Sequence, residues 1–379
     1  MALVLNEEQM MLRDSAAGFL SEKAGVAQLR ELRDAGSETA FDDGVWKEMA
    51  EMGWAGIAIP EEFGGLGYGY TGLGVVLEQV GRNLSASPLE ASVLIGATAV
   101  ERLGSAAQRA EWLPAIAAGE KQVTLALQDD ANFDPAGVSM AATRDGDAYV
   151  LNGAKRMVLD GLTADAFVVI ARTAGAAGDT DGISAFLVPS DAEGLTVSRC
   201  EMVDSRQCAA LAFDGVRVSA DALMGGESAA WAGLERTLDI AAIGMSAELL
   251  GLSLEAFERT MAYLRERKQF GRIIGSFQGL QHRAATLFTE LELARSIVLK
   301  ALQAIDEDAE NLSVLASAAK AKLSEVAKTA SNEGVQMHGG IGMTDEYDIG
   351  FFLKRARVLQ HLMGDYFYHL DRFARLGGY

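Results

Sequence analysis

The sequence predicts a mainly α-helical protein with a small antiparallel β-domain in its middle. Helical periodicity fills much of residues 1–120 and returns from about residue 230. Between these regions, short β-favouring runs are separated by clusters of glycine and aspartate. The chain has only 5 prolines among 379 residues, which also favours helices. We therefore expect three domains, at residues 1–120, 121–226 and 227–379.

In the first region, helical stretches alternate with glycine-rich turns. FDDGVWKEMAEM at 41–52 has helical character, whereas EEFGGLGYG at 61–69 contains too much glycine to continue a helix. A helical period resumes at 75–80 and 91–103. This pattern predicts a helical N-terminal domain.

The middle region changes to short apolar or β-favouring runs. These runs lie at 148–151, 166–171, 184–188 and 207–213. RDGD at 144–147 and AGAAGDTDG at 174–182 separate them, as turn residues do in hairpins. We expect the second cluster to be the exposed tip of a hairpin.

The last region is helical again. Leu238, Ala242, Met245, Leu249 and Leu252 recur at helical spacing, and later helices are expected at 277–305, 312–337 and 346–375. Four long helices with short connections predict a bundle.

Composition excludes several classes of function. The formal net charge of −20 argues against nucleic acid as a partner, so basic clusters should be local exceptions where an anion binds. The sequence has no run of about 18 apolar residues, so we expect no membrane span. The acidic N-terminus is not typical of a secretory signal. The 2 cysteines, Cys200 and Cys208, form no CxxC, and the 4 histidines show no metal-ligand spacing. We expect no metal site, and a reducing cytoplasm as the compartment.

The most informative stretch is YLRERKQFGRIIGSFQGLQ at 263–281. Arg267 brings a planar fork of donors that suits a phosphate. Gln269 and Gln278 add neutral hydrogen-bonding groups, and Phe270 offers a flat face. Together they could hold an adenine dinucleotide by its pyrophosphate.

A second glycine-rich stretch, QMHGGIG at 336–342, fits the same purpose. Gly339 and Gly340 allow a tight turn and a close approach of the backbone to phosphate. The simpler interpretation of each motif alone stays open: the glycines end a helix, and Arg267 is a solvated surface cation.

Five further stretches occur in an order that resembles the acyl-CoA dehydrogenase family of flavoproteins. They are WKEMAEMGWAGIAIPEEFGGLGYG (46–69), GDAYVLNGAKRMVLDG (146–161), FLVPSDAEGLTV (186–197), FDGVRVSADALMG (213–225) and QMHGGIGMTDEY (336–347). The segment at 263–281 resembles the family's signature. The resemblance implies an N-terminal α-helical domain, a middle antiparallel β-barrel and a C-terminal four-helix bundle. It also implies FAD and the α,β-desaturation of an acyl-CoA thioester.

The resemblance implies specific cofactor residues. In the family, the adenine end of FAD is held largely by a neighbouring subunit. The residues that this implies here are Arg267, Gln269, Phe270, Gln278, Gln336, Gly339 and Gly340.

At the flavin ring, the chain departs from the family pattern. Gln128 stands where the family has a ring-binding threonine, and the acidic run that begins at Asp129 would place negative charge near the ring. Met157 replaces a tryptophan and Leu159 a second threonine. We expect a degraded ring site, with an unusual but working loop as the alternative.

The usual catalytic base is also missing. Alignment with the family places Met363 at the position of the usual glutamate, and Ala241 at the position that some members use instead. Asp239 lies about 200° around the helix from Ala241, so it is no simple substitute. Asp365 is the best surviving carboxylate, either as a displaced base or as a helix cap or surface charge.

These features lead to three hypotheses. The first is the non-catalytic subunit of an α₂β₂ acyl-CoA dehydrogenase, similar to those of bacterial steroid and sterol side-chain breakdown. Its partners would be acyl-CoA, a paralogous catalytic subunit that shares FAD, and an electron-transfer flavoprotein or similar acceptor. The second is a self-sufficient dehydrogenase or relative with a displaced carboxylate base. The third is a flavin-free binding or scaffold protein on the same fold.

Overall fold

The computed structural model describes residues 3–379 and divides the chain into two compact units. Residues 3–31, 70–86 and 242–379 form the first unit, and residues 32–69 and 87–241 form the second. The N-terminal region thus contributes helices to both units. Only the second unit contains the large β-sheet.

Helices occupy the two terminal regions of the chain. In chain order, they are α1 (Glu7–Lys23), α2 (Val26–Asp34), α3 (Asp43–Glu51), α4 (Gly69–Asn83), α5 (Thr98–Leu103), α6 (Ala106–Ala117), α7 (Trp231–Glu266), α8 (Gln278–Asp306), α9 (Leu312–His338), α10 (Ile349–His361) and α11 (Tyr366–Leu376). A π-helix, Leu89–Ala97, leads directly into α5.

The strands fill the middle region, as the sequence predicts. They are β1 (Val123–Ala126), β2 (Ala141–Asp145), β3 (Ala148–Leu159), β4 (Ala166–Arg172), β5 (Ile183–Pro189), β6 (Leu195–Glu201), β7 (Gln207–Ser219) and β8 (Leu223–Met224). Their order is β6-β7-β3-β2-β4-β5-β8, and β1 pairs with β4. Most pairings are antiparallel, but β1–β4 and β2–β4 are parallel.

The core of the sheet explains why β4 and β5 are so apolar. Every residue of β4 is buried, and so are six of the seven residues of β5. Tyr149 on β3 packs edge to face on Phe186 of β5, with ring centroids 5.0 Å apart. The sequence of a strand that is covered on both faces is a continuous apolar run, rather than an alternation of apolar and polar residues.

The AGAAGDTDG segment joins β4 to β5, which confirms the predicted hairpin tip. Buried Arg172 organises it. Its guanidinium donates hydrogen bonds to the carbonyls of Val138 (2.8 Å), Asp181 (2.9 Å) and Asp179 (2.9 Å). An arginine that binds backbone carbonyls can thus order a glycine-rich loop that has no core of its own.

In the first unit, α4 and α7 approach closely at two glycines. A Cβ on Gly81 would overlap the carbonyl oxygen of Glu248, and one on Gly251 would overlap that of Glu78. Asp306, at the end of α8, accepts hydrogen bonds from the first amides of α4, at 2.7 Å and 2.9 Å. These amides lack partners within their own helix, so the carboxylate stabilises the start of α4.

The predicted single helix over 346–375 is wrong, because the chain breaks between α10 and α11. Leu362 is extended, and Met363 and Gly364 have φ values of 54° and 94°. Asp365 then caps a new helix. Left-handed backbone cannot continue a right-handed helix, and sequence periodicity does not detect this break.

One described helix, α7, is long and apolar enough to cross a membrane by length and composition. However, 89% of its most apolar 18-residue stretch is buried inside the protein, as is usual for a core helix.

Candidate functional site

The segment between α7 and α8 folds as a small β-hairpin. β9 (Lys268–Gln269) pairs with β10 (Arg272–Ile273) around a turn at Phe270 and Gly271. Both turn residues have positive φ, 54° and 77°, which is the pattern of the tight type I′ hairpin turn. The predicted turn is therefore present, and it holds Phe270 90% exposed at its tip.

The predicted adenine-binding residues lie on the surface of the first unit. Among residues 3–379, the Arg267 side chain has no hydrogen bond or ion pair. Its own fork of donors is thus available to a ligand. The whole predicted set is exposed: Arg267, Gln269, Phe270, Gln278, Gln336, Gly339 and Gly340.

Buried His338 links the two glycine-rich segments. Its ring lies 4.4 Å from that of Tyr263, in the last turns of α7, and 4.7 Å from that of Tyr347. Its Nδ1 lies 2.6 Å from the carbonyl oxygen of Gly334, and burial lowers the pKa of the ring. His338 therefore ties the turn that begins at Gly339 to the end of α7, just before the hairpin.

The two segments predicted to contact the flavin ring are neighbours in the second unit. The Arg156 amide donates to the Gln128 carbonyl at 2.7 Å. The β3–β7 register shifts between Lys155 and Val158, and Met157 in this bulge has a φ of 55°. Bulges commonly redirect a side chain beside a binding site, whereas Leu159 returns to the buried face of the strand.

The negative charge expected at Asp129 is compensated by the ammonium of Lys155. Its Oδ1 lies 2.5 Å from the Nζ of Lys155, and its Oδ2 accepts from the amides of Ser139 (2.5 Å) and Met140 (2.8 Å). Burial opposes ionisation, but Lys155 and these hydrogen bonds leave the pKa of Asp129 below its usual value. Asp129 therefore braces the β1–β2 connection.

Lys155 itself was missed from the sequence. Its side chain is fully buried and also donates to the carbonyl of Leu127 at 2.8 Å. Burial lowers its pKa to about 8, an effect that Asp129 partly offsets. The sequence offered no clear signal for it, because residues 152–154 and 156–157 on either side of Lys155 are exposed.

The connection between α10 and α11 carries the residues aligned with the family's base. Asp365 accepts a hydrogen bond from the Tyr368 amide at 2.8 Å, so it caps α11. The carbonyl of Met363 lies 2.8 Å from the His369 ring, and that of Gly364 accepts from Lys320 at 2.8 Å. Lys320 is a second buried cation that the sequence analysis missed.

The carboxylates on α7 are also buried. Glu248 is 0% exposed and binds the Arg355 guanidinium through both oxygens, at 2.7 Å and 3.1 Å. Asp239 is 2% exposed, and Ala241 is fully buried. Glu248 is thus committed to an ion pair within the helical unit rather than to proton transfer.

Comparison with known proteins supports this architecture. Residues 6–120, 128–216 and 231–376 match the N-terminal, middle and C-terminal domains of acyl-CoA dehydrogenase. The probable acyl-CoA dehydrogenase YngJ of Bacillus subtilis is 33% identical over 364 residues, which cover 94% of each chain.

Two solved structures are similar over nearly the whole chain. A variant of the Tcur3481-Tcur3483 steroid ACAD has a TM-score of 0.88 and 31% identity, with 98% of both chains covered. The ChsE4-ChsE5 complex from Mycobacterium tuberculosis has a TM-score of 0.90 and 25% identity, with 100% of this chain and 99% of that chain covered.

The fold and these matches define an FAD-dependent oxidoreductase that dehydrogenates acyl-CoA thioesters. The chain belongs to the acyl-CoA dehydrogenase family.

The residues present fit the adenine end of FAD. Phe270 offers an exposed ring, and Gly339 and Gly340 have open space where a side chain would begin. The ring end fits less well, since Met157 is a thioether that is 37% exposed in a left-handed backbone position. A thioether is only a weak hydrogen-bond acceptor.

Proposed function

We propose that this chain is the non-catalytic subunit of a heteromeric acyl-CoA dehydrogenase. It would complete the FAD site of a paralogous catalytic subunit, in a cytoplasmic α₂β₂ assembly. The observation that carries the proposal is an asymmetry. The adenine-binding set is exposed and Arg267 has no ion pair within residues 3–379, whereas Met363 and Ala241 stand at the base positions.

The surface geometry supports a role toward a partner's cofactor. Arg267 lies just before the hairpin and Phe270 at its tip, and His338 ties the Gly339 turn to the helix that precedes the hairpin. Residues that protrude from the surface can contact a nucleotide bound by a neighbouring subunit more readily than a nucleotide bound inside their own unit. In the proposed complex, Arg267 would bind the pyrophosphate of FAD, and Gln278 and Gln336 would hydrogen-bond its adenosine half.

The catalytic half of the proposal rests on occupied carboxylates. Asp365 is the cap of α11, and Glu248 is bound by Arg355. When bound, FAD accepts the hydride that leaves the β carbon of the acyl group. Removal of the α proton needs a carboxylate within hydrogen-bond reach, and we assign that group to the partner subunit.

Two of the similar structures suggest the type of assembly. One is a variant of the Tcur3481-Tcur3483 steroid ACAD, and the other is the complex of ChsE4 with ChsE5. By this likeness, we propose an acyl-CoA with a steroid or sterol-derived side chain as substrate. An electron-transfer flavoprotein or a similar protein would be the acceptor.

The test is to purify the chain alone and with a candidate partner, an acyl-CoA dehydrogenase homologue from the same genome. The visible absorption of bound flavin and acyl-CoA oxidation would then be measured for both preparations. We expect both signals only from the complex. In the complex, Arg267→Gln should reduce flavin content, whereas Arg375→Gln, which removes an exposed cation on α11, should not.

Each other result has a clear meaning. Tight flavin and acyl-CoA oxidation by the lone chain would show a self-sufficient dehydrogenase and overturn the proposal. A purified complex without flavin would instead support a scaffold role.

A further inference from the structure

A cleft of about 240 Å³ lies beside the connection between α10 and α11, in the first unit. α9, α10 and the start of α11 form its walls. None of the predicted cofactor residues lines it. Its donor-bearing side chains are Ser324, Lys328, Arg357, Gln360, His361 and Tyr366.

Two buried polar groups of this cleft have no partner. Ser324 is 3% exposed and Gln360 is 7% exposed. Within residues 3–379, neither the Ser324 Oγ nor the Gln360 Nε2 has a hydrogen bond. The Gln360 Oε1 accepts from Arg357 at 3.1 Å, so its amide nitrogen is left as the unpaired donor. Buried polar groups are normally paired, so these two donors are available to a ligand.

The charges around the cleft favour an anion. Lys328 and Arg357 bring two cations to its lining. Glu325 and Asp365 also line the cleft, and the Asp365 carboxylate faces the positive N-terminal end of α11, which partly offsets its charge. In a chain of net charge −20, such a cluster of cations and neutral donors is a local exception.

We propose that this cleft binds a phosphate group. Arg357 already donates to the Gln360 Oε1 and the Asn332 Oδ1, both at 3.1 Å, and its remaining N–H groups can donate to a phosphate oxygen. The hydroxyl of Ser324 and the amide of Gln360 can donate to the same anion. The cleft is smaller than the roughly 300 Å³ at which pockets for drug-sized ligands begin. It therefore takes inorganic phosphate, or the terminal phosphate of a larger molecule whose remainder stays outside.

Isothermal titration calorimetry of the full chain, in its complex where one forms, tests the site with inorganic phosphate. Ser324→Ala and Arg357→Gln should each weaken binding about tenfold, because each removes a hydrogen bond to a charged ligand. Arg375→Gln, outside the cleft, is the matched control and should leave binding unchanged.

A variant that should bind phosphate more tightly is also needed, because poor folding can weaken binding but cannot strengthen it. Glu325→Gln removes a carboxylate from the rim of the cleft, so it should strengthen phosphate binding. A parallel titration with adenosine 3′,5′-bisphosphate separates the two sources. Competition between the two ligands would show a phosphate-ester site, and binding of inorganic phosphate alone would show a site for the free anion.

Three results would overturn the inference. The first is no heat of binding with millimolar phosphate. The second is an equal loss of binding in Arg375→Gln and Arg357→Gln, which would show general surface charge. The third is unchanged binding in both Ser324→Ala and Arg357→Gln. None of these results bears on the flavin proposal, because none involves Arg267 or the hairpin.

Discussion

Lys320, fully buried on α9, donates a hydrogen bond from its Nζ to the carbonyl oxygen of Gly364 at 2.8 Å. The same ammonium lies 3.3 Å from the carbonyl oxygen of Gln360. α9 thus fixes the connection between α10 and α11, which contains Met363, the residue that the sequence predicts at the position of the family's usual base. Burial lowers the pKa of Lys320 to about 7, an effect that the nearby charge of Asp365 partly offsets.

The first prediction concerns the pH dependence of stability at Lys320. The folded protein releases this proton near pH 7, whereas an unperturbed lysine keeps it to about 10.5. Between these values the unfolded chain binds more protons, so this lysine makes stability rise with pH. Below about pH 7, Lys320 is charged in the folded protein, and burial of its ammonium lowers the free energy of unfolding in full.

Lys320→Met removes this titration. The stability of the variant relative to the parent should therefore fall as pH rises through this window, with a slope of at most about 1.4 kcal/mol per pH unit. Urea unfolding of both proteins at several pH values measures the difference. The slope is the readout, since loss of the hydrogen bond to Gly364 shifts the whole curve equally. A difference that stays constant with pH would show that Lys320 remains charged throughout.

The second prediction separates the two interpretations of Asp365. Asparagine caps helices about as well as aspartate, so Asp365→Asn should preserve α11 and the folded state. If Asp365 is only a cap, acyl-CoA oxidation by the complex should be unchanged. Steady-state kinetics, with circular dichroism to confirm folding, measure this. A loss of several orders of magnitude in kcat with an intact fold would identify Asp365 as the base.

Asp365 also shows which part of the site could be predicted from the sequence and which part could not. Its two possible roles were visible, but the choice depended on where the last helix begins. That start depends on the left-handed backbone at Met363 and Gly364, which periodicity does not record. The hairpin at 268–273 was easier to predict, because its turn and its exposed residues are contiguous in the chain.

The two buried lysines were harder to predict, because their contacts join distant residues. Lys155 meets Asp129 26 positions away, and Lys320 meets Gly364 44 positions away. A single sequence gives the spacing of each residue along its own element, but not which element packs against it. The charge of Asp129 was therefore assigned to the ring site, although Lys155 compensates it.

The third prediction concerns the buried ion pair of Glu248 and Arg355. Arg355→Met leaves the Glu248 carboxylate buried without its strongest partner, so it should cost about 3–5 kcal/mol of stability. The double variant Glu248→Leu with Arg355→Met should recover much of this loss, because it removes both charges of the pair together. Chemical unfolding of both singles and the double completes the cycle.

An exposed ion pair provides the control. Asp371→Ala removes the partner of Arg375 on α11, where both side chains are more than half exposed. It should change stability by less than about 1 kcal/mol. A loss for Arg355→Met as small as that for Asp371→Ala would contradict the assignment of Glu248 as a buried carboxylate that depends on Arg355.

The fourth prediction tests the close approach of α4 and α7. A Cβ at position 251 would overlap the carbonyl oxygen of Glu78, which belongs to helical backbone and cannot rotate away. Gly251→Ala must therefore push the two helices apart, at a cost of about 1–3 kcal/mol or more. Gly18→Ala in α1 is the matched control, since nothing lies within 4 Å of its added methyl. It should stabilise the protein by about 0.5–1 kcal/mol through helix propensity. If the helices cross as closely as the glycines indicate, thermal unfolding should show a lower Tm for Gly251→Ala and a higher Tm for Gly18→Ala. A higher Tm for both variants would contradict the close approach of α4 and α7.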